Sequence, residues 1–299
     1  MFRPVHAQPV FSVALLALVC ACSGAEEEDP GADVGIHGDI QEFEDGDADP
    51  DIGSAPDPDT GSDPDTGSDP NGGQGLSGVW AQQITVTSVS EVPFVGEVET
   101  ETISIQRLEI DQTGQDLTII AETCAIDLVS TPALAETIIP DAFVEALEIT
   151  ERPGEVIGDG ADREVYFPRF LEVRAAELDD PENDELPTDP DDPRVLDPDG
   201  DGNPGLTVRV TGLLDGEIYV VQRAWNELEG TMDGADRFDG LVTWDNEQSV
   251  LGSDNPTLLQ DTNDEPHPDP ERSFFLTTRA GAGQSCADLV ADADALFAR

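Results

Sequence analysis

The run Asp197-Pro-Asp199-Gly-Asp201-Gly-Asn203 carries the clearest chemistry in the chain. Carboxylates at its first, third and fifth positions and an amide at its seventh offer hard oxygen ligands that wrap around one point. Gly202, at the sixth position, permits the sharp turn such wrapping needs. The cation this suits is calcium, which takes about 6–8 oxygen ligands. Position twelve is Val208, so the bidentate Glu of a complete loop is absent and further ligands must come from Asp191, Asp192 or water. Asp197, Asp199, Asp201 and Asn203 are thus the candidate metal ligands, and a bound ion is expected to brace the acidic insertion at about 176–205, not to switch it. A solvated acidic loop is the competing reading, since the chain has several, Asp179 to Asp192 among them.

The run resembles calcium loops of the EF-hand and thrombospondin-repeat kinds. Catalytic chemistry is much poorer. Beyond the leader the histidines are His37 and His267, the latter in His-Pro-Asp-Pro. One imidazole holds no zinc alone, and a Ser-His-Asp arrangement would need His267 in a pocket. No Gly-x-Ser-x-Gly elbow, phosphate loop or dinucleotide fingerprint occurs. Carboxylates abound, so any acid pair chosen for glycoside hydrolysis is arbitrary. The expectation is a protein without enzymatic activity, with a hydrolase as the distant alternative. Trp225 and Trp244, with Tyr219 and Phe238 nearby, suggest core packing, closure of a barrel or an aromatic-lined cavity for an apolar or sugar ligand.

Cysteine chemistry points to a compartment. Arg3 and His6 precede the apolar run Val10 to Val19, too short for the about 20 residues a membrane span needs but suited to a signal-peptide core. Val19-Cys20-Ala21-Cys22 follows, and it resembles the lipobox of bacterial lipoproteins. The resemblance implies that residues 1–21 are a signal peptide and that Cys22 is lipidated and becomes the new N-terminus. It implies a lipid bilayer partner reached through acyl chains. Ser23 is similar to the signal of lipoproteins sent to the outer membrane. An ordinary secretory cleavage after Ala21 or Ala25 is the alternative. In the folded part, Cys124 and Cys286 are expected to oxidise to a structural disulfide outside the cytoplasm.

Residues 22–75 read as a tether. From Ala25 to Gly75 there is no Lys or Arg, and Asp57-Pro-Asp-Thr-Gly-Ser62 repeats as Asp63-Pro-Asp-Thr-Gly-Ser68. Such a segment buries too little apolar surface to offset its ordering entropy, so disorder is expected. Over the whole chain 66 acidic residues face 13 basic ones, all Arg, for a net charge of -53. Nucleic acid, itself a dense line of negative charge, is excluded as a partner on those terms. Adaptation to saline or divalent-rich surroundings is the plain account of the charge.

Residues 76–299 are expected to form one β-rich domain: an all-β antiparallel barrel or sandwich with a short C-terminal helix. Trp80 to Ser88 and Val98 to Ile110 alternate or are β-branched; Gln112-Thr-Gly114 turns the chain into Leu117 to Ala121. Asp215-Gly216 separates Leu206–Leu214 from Glu217–Trp225, a strong hairpin signal, and Trp225–Met232 and Phe238–Leu251 make a further pair. Pro140–Leu147 reads as a short helix, Val165–Ala175 and Arg272–Arg279 as strands. Ser285 with Asp288 resembles a capping box, and Leu289, Ala293, Leu296 and Phe297 share one helix face.

Gly78-Val79-Trp80 on the first strand, Arg279 at the end of the last and a terminal helix are similar to lipocalin-type barrels. That resemblance implies Arg279 packed across Trp80 at the barrel base, and a bridge from mid-barrel to the C-terminus. The usual Thr-Asp-Tyr motif is missing and the domain is longer than a typical member. The sequence thus supports a lipid-anchored protein of the outer membrane or cell surface. It is expected to bind a small molecule, glycan or envelope partner, or else to serve as a structural or adhesive protein with calcium-braced loops.

Overall fold

The first strand is buried on both faces: Trp80, Ile84 and Val86 pack together on the inward one, while Ala81 is buried on the outward one. The computed structural model describes residues 75–92, 96–133, 135–159, 163–212, 215–259 and 264–298. The signal peptide, Cys22 and nearly all of the tether expected from sequence lie outside the described residues. Eleven strands occur among the described residues: β1 (Gly78–Val92), β2 (Gly96–Thr113), β3 (Asp116–Thr131), β4 (Ala135–Ile138), β5 (Thr150–Ile157), β6 (Glu164–Arg174), β7 (Leu206–Gly212), β8 (Gly216–Met232), β9 (Arg237–Ser253), β10 (Glu265–Pro266) and β11 (Phe274–Arg279). Helix α1 (Asp141–Glu145) follows β4, and α2 (Cys286–Ala291) and α3 (Ala293–Leu296) follow β11.

All pairings are antiparallel, and eight strands close on themselves in the order β1-β2-β3-β5-β6-β8-β9-β11, with β11 returning to β1. The barrel alternative is therefore the observed one, and a ring of about eight strands leaves an interior that side chains can fill. β7 and β4 form a spur: β7 pairs with residues 216–220 of β8, and β4 with β7. The two strands expected on either side of Trp225 are one 17-residue strand, β8. It pairs with β9 along one edge and with β7 and then β6 along the other. The expected C-terminal helix is two short ones meeting at Asp292; the Ser285–Asp288 capping box is present in both directions.

The lower end of the ring is floored by aromatic side chains. Phe238 sits at the centre, edge-on to Trp80 (5.2 Å), Phe275 (6.1 Å) and Phe167 (6.2 Å). Leu108, Ile119, Val165 and Leu228 are among the aliphatic side chains packed into this cluster. Room for it comes from a glycine pair: Gly230 and Gly240 face each other across β8 and β9, and a Cβ on Gly230 would lie 2.6 Å from the Phe275 ring. At the upper end Leu206, Val208, Val220, Ile126 and Phe143 of α1 form a second cluster. Ala81, Ile105 and Leu276 face out of the ring and are covered by Leu289 and Phe297 of the C-terminal segment.

Ser273 seals the seam where β11 gives out. Its hydroxyl accepts from Trp244 Nε1 (3.0 Å) and from the Thr87 N–H (3.2 Å), joining β9 to β1 above the last ladder bond. Because Phe238 touches three rings at no exposure, Phe238→Ala is expected to cost about 3–5 kcal/mol in denaturant melts. A loss under about 1 kcal/mol would mean the floor is not the packed core described here.

Candidate functional site

The residues singled out from sequence are distributed over five places. At the ring base, Trp80 and Arg279 are register partners on the first and last ring strands. The Arg279 guanidinium lies 4.2 Å from the Trp80 ring centroid. It also donates to the carbonyls of Gly75 (2.9 Å) and Ser77 (3.1 Å) and to Asp236 (2.8 Å), while Trp80 Nε1 donates to the Leu76 carbonyl. Trp80 is wholly buried among the floor side chains, so it closes the base instead of lining an open space.

Cys124 and Cys286 are joined as a disulfide. Cys124 stands at the register shift between β2 and β3, and Cys286 opens α2, so the bond clips the terminal segment to the outside of the ring.

Trp225 and Trp244 are not brought together. Trp225 pairs with Asp245 and Trp244 with Asn226, one step out of phase, so alternation sends the two indoles to opposite faces. Trp244 points into the floor cluster. Trp225 faces outward beneath Arg169, whose guanidinium is 4.9 Å from its centroid. Around it lies a groove of about 180 Å³ walled by Arg169, Leu171, Glu182, Arg223, Asp245 and Glu247. Two arginines build its rim from the insertion. Arg169 binds both carboxylate oxygens of Glu182. Arg223 donates to the carbonyls of Pro181 and Asp184 and pairs with Glu247. A second opening of about 440 Å³ lies at the rim between Leu128–Ser130 of β3 and Ala135–Glu136 of β4. There β4 leaves β3 for β7, and β3 is paired to β5 only through Asp116–Ala121.

The carboxylates of Asp197, Asp199 and Asp201 present oxygens all within 4.8 Å of one another. Two ligands about 2.4 Å from a calcium ion can be no farther apart than this, so the spacing fits. Gly202 adopts φ 87°, as the sixth position requires. Asp199 supplies the most telling atom: Oδ2 accepts from the Thr207 N–H (2.9 Å), whereas buried Oδ1 has no protein partner. Burial, then the charges of Asp201 and Asp197, push the Asp199 carboxyl up. Asp201 accepts from the Asn203 N–H and the Thr207 hydroxyl. Asn203 serves through its side-chain N–H₂ as a donor to Asp201 (3.1 Å). Of the two residues suggested to complete the shell, Asp191 is exposed and Asp192 is held by Arg194 through both oxygens; Val208, at the twelfth position where a Glu would stand, is buried in the upper core.

His267 lies on the short segment beside β1. Its Nε2 is 3.9 Å from Glu99 and its Nδ1 accepts the N–H of Asp269 (3.0 Å). The same Glu99, with Glu101, binds Arg272.

Sequence reading missed the charged groups inside the ring. Among the described residues the buried charged side chains are Arg152, Glu172 and Arg174. Each shares the inward face of its strand, and the signal was available as alternation in Thr150-Glu-Arg-Pro-Gly-Glu-Val156, masked by a Pro-Gly pair that reads as a turn.

No protein-family model, curated protein or solved structure matches the chain. Among the described residues no helix is long and apolar enough to cross a membrane.

One carboxylate–arginine pair, Glu182 with Arg169, docks the insertion on the ring and another, Asp192 with Arg194, braces it internally, and both acids are perturbed in one direction. Hydrogen bonding to Arg169 holds the Glu182 carboxyl below its usual range, and Arg194 does the same to Asp192. Carboxyls lower in the fold than in the unfolded chain contribute fully above the ordinary carboxylate range, and that contribution is lost as pH falls through the depressed values. Protection factors, corrected for the slower intrinsic exchange at acid pH, are therefore expected to fall at residues 180–195 as the pH is lowered while β8 keeps its protection. Exchange in the insertion that keeps pace with β8 throughout would show that these pairs do not hold it.

Proposed function

We propose that this chain is an exported, lipid-anchored, non-enzymatic binding module of a bacterial envelope, carried on the outer membrane or cell surface. Its ligand would be a glycan or comparable polyhydroxylated small molecule, and its ligand site the groove over Trp225. The observation that carries this reading is an indole turned outward between Glu182, Asp245, Glu247 and two arginines. An aromatic plane with planar charged acceptors and donors around it suits a ring that is apolar on its faces and hydroxylated at its edge. At about 180 Å³ the groove is below the roughly 300 Å³ of drug-sized sites, a size for one sugar unit or a chain end.

The address is supported by the lipobox-like Val19–Cys22 and by the Cys124–Cys286 bond, which belongs to an oxidising compartment. Acyl chains on Cys22 would anchor it, since each buried methylene contributes about 0.8 kcal/mol. An acidic spacer would then hold the domain off an anionic surface that repels it.

Calcium would be held by Asp197, Asp199 and Asp201, offsetting two of the three negative charges that converge there and tying the insertion to β7 through Thr207. A structural or adhesive role is the second reading. It is favoured by the packed floor around Phe238, which fills the ring end where an apolar cavity over Trp80 would otherwise open.

Native mass spectrometry of the protein from its own envelope is expected to report acylated Cys22, a retained saccharide, and cysteines 124 and 286 that resist alkylation until reduced. Trp225→Ala should lose the saccharide while still folding, at a cost of about 1 kcal/mol for a half-buried side chain outside the core clusters; retention of the saccharide in that variant would refute the groove. Calcium should raise the melting midpoint, by about 2.7 kcal/mol of stability at a hundredfold excess over Kd, with reversal by a chelator and no response in Asp199→Asn. An unchanged midpoint would remove the metal.

A further inference from the structure

The three buried charged residues line one wall of the ring: Arg152 on β5, Glu172 and Arg174 on β6, exposed by 4%, 5% and 5%. One carboxylate thus faces two guanidiniums, which leaves a single positive charge inside a chain whose net charge is -53. Glu172 bonds Arg174 at 2.9 Å, and Arg174 leads on through Gln222 to Gln248.

Arg152 is bound by neutral groups. Its Nη1 donates to Asn226 Oδ1 (2.8 Å) and its Nη2 to the Pro168 carbonyl (3.0 Å), which the bulge between Phe167 and Phe170 makes available. The rings of Phe167 and Phe170 lie 5.5 and 5.2 Å from its guanidinium carbon. Its buried Nε–H has no partner. Thr150, the preceding residue on the same face and about 7 Å away along the strand, is 1% exposed, and its hydroxyl also has no partner. Burial drags the guanidinium down to about 10, with Glu172 partly opposing, so it still carries its charge at neutral pH.

A water molecule would satisfy the two orphaned donors but not the charge. An ion would satisfy both. We propose that the ring interior binds a small anion of the carboxylate class at Arg152, the Nε–H and the Thr150 hydroxyl donating to its oxygens. The site lies inside the wall and does not depend on the outward groove over Trp225. The occupant is small, of formate or acetate size, because the neighbouring wall is tight: a Cβ on Gly154 would stand 2.8 Å from Ile119 and 3.0 Å from Phe167. With both Nη groups taken by Asn226 and Pro168, the free donors stand on two side chains, Arg152 and Thr150, and a carboxylate offers one oxygen to each where a spherical halide offers a single centre.

The test uses the full-length protein, melted in sodium formate exchanged for sodium chloride at fixed ionic strength, with ¹³C-formate observed by NMR. Wild type is expected to show a saturable rise in melting midpoint and a bound formate signal. Thr150→Val, which keeps the shape and removes the hydroxyl, should fold and bind at least about tenfold more weakly, as loss of a hydrogen bond to a charged group predicts. Arg152→Met should abolish the formate response and, without formate, melt at or above wild type, because an uncompensated buried cation has been replaced by an apolar chain. A midpoint indifferent to formate in wild type would overturn the proposal and leave Arg152 hydrated by water alone. So would a formate response of equal strength in Thr150→Val, whether or not Arg152→Met folds.

Discussion

β8 sets the constraint on which the rest depends, because it belongs to the ring along one edge and divides two neighbours along the other. A strand of 17 residues runs about 56 Å, longer than β6 can accompany, and β7 takes over where β6 stops. This handover gives the molecule two levels. Below it, eight strands close over an aromatic floor; above it, the wall between β3 and β8 is made by β4, β7 and the single turn of α1, with Phe143 driven into the gap. The floor glycines, the Ser273 bridge and the splayed β3–β4 corner are all local answers to that division.

The distribution of charge follows the same geometry. Carboxylates cover the outside and the insertion, where they are paired with arginine at Glu182, Asp192 and Glu247 or gathered at Asp197–Asp201. Each of the three pairs places at least one charge in solvent, where the pairing energy is modest. Inside the ring the balance reverses, and the sign is fixed by three residues in a setting that water does not screen. A strongly acidic chain with a cationic interior attracts no anion from a distance; selectivity for one would come from the donors at close range.

Much of this architecture was legible beforehand, for reasons that differ by element. The Asp215-Gly216 hairpin, the capping box at Ser285 and the alternation of β1 and β2 are local signals, and each appears where expected. The base pair of Trp80 and Arg279 spans nearly the whole domain and was reached by resemblance, since no local rule joins residues so far apart. β4 and β5 were missed. In β5 the Arg-Pro-Gly run argues for a turn, yet Pro153 stands where the strand has a partner on one edge only, a place where a missing N–H is tolerated. The phase of Trp225 against Trp244 was illegible because a one-residue difference in register decides which face each indole occupies. The site read as a single aromatic cluster is therefore two, one built into the floor and one turned outward.

The ring joins its earliest strand to its latest. β1 is held by β11, and the disulfide ties β3 to a helix still later in the chain. During synthesis the N-terminal strands emerge first, and β1 must wait with one flank open until some two hundred further residues have appeared. Closure is accordingly the last step of assembly: a polypeptide arrested anywhere before Phe274 leaves one border of β1 without its ring partner, open to pairing with other copies.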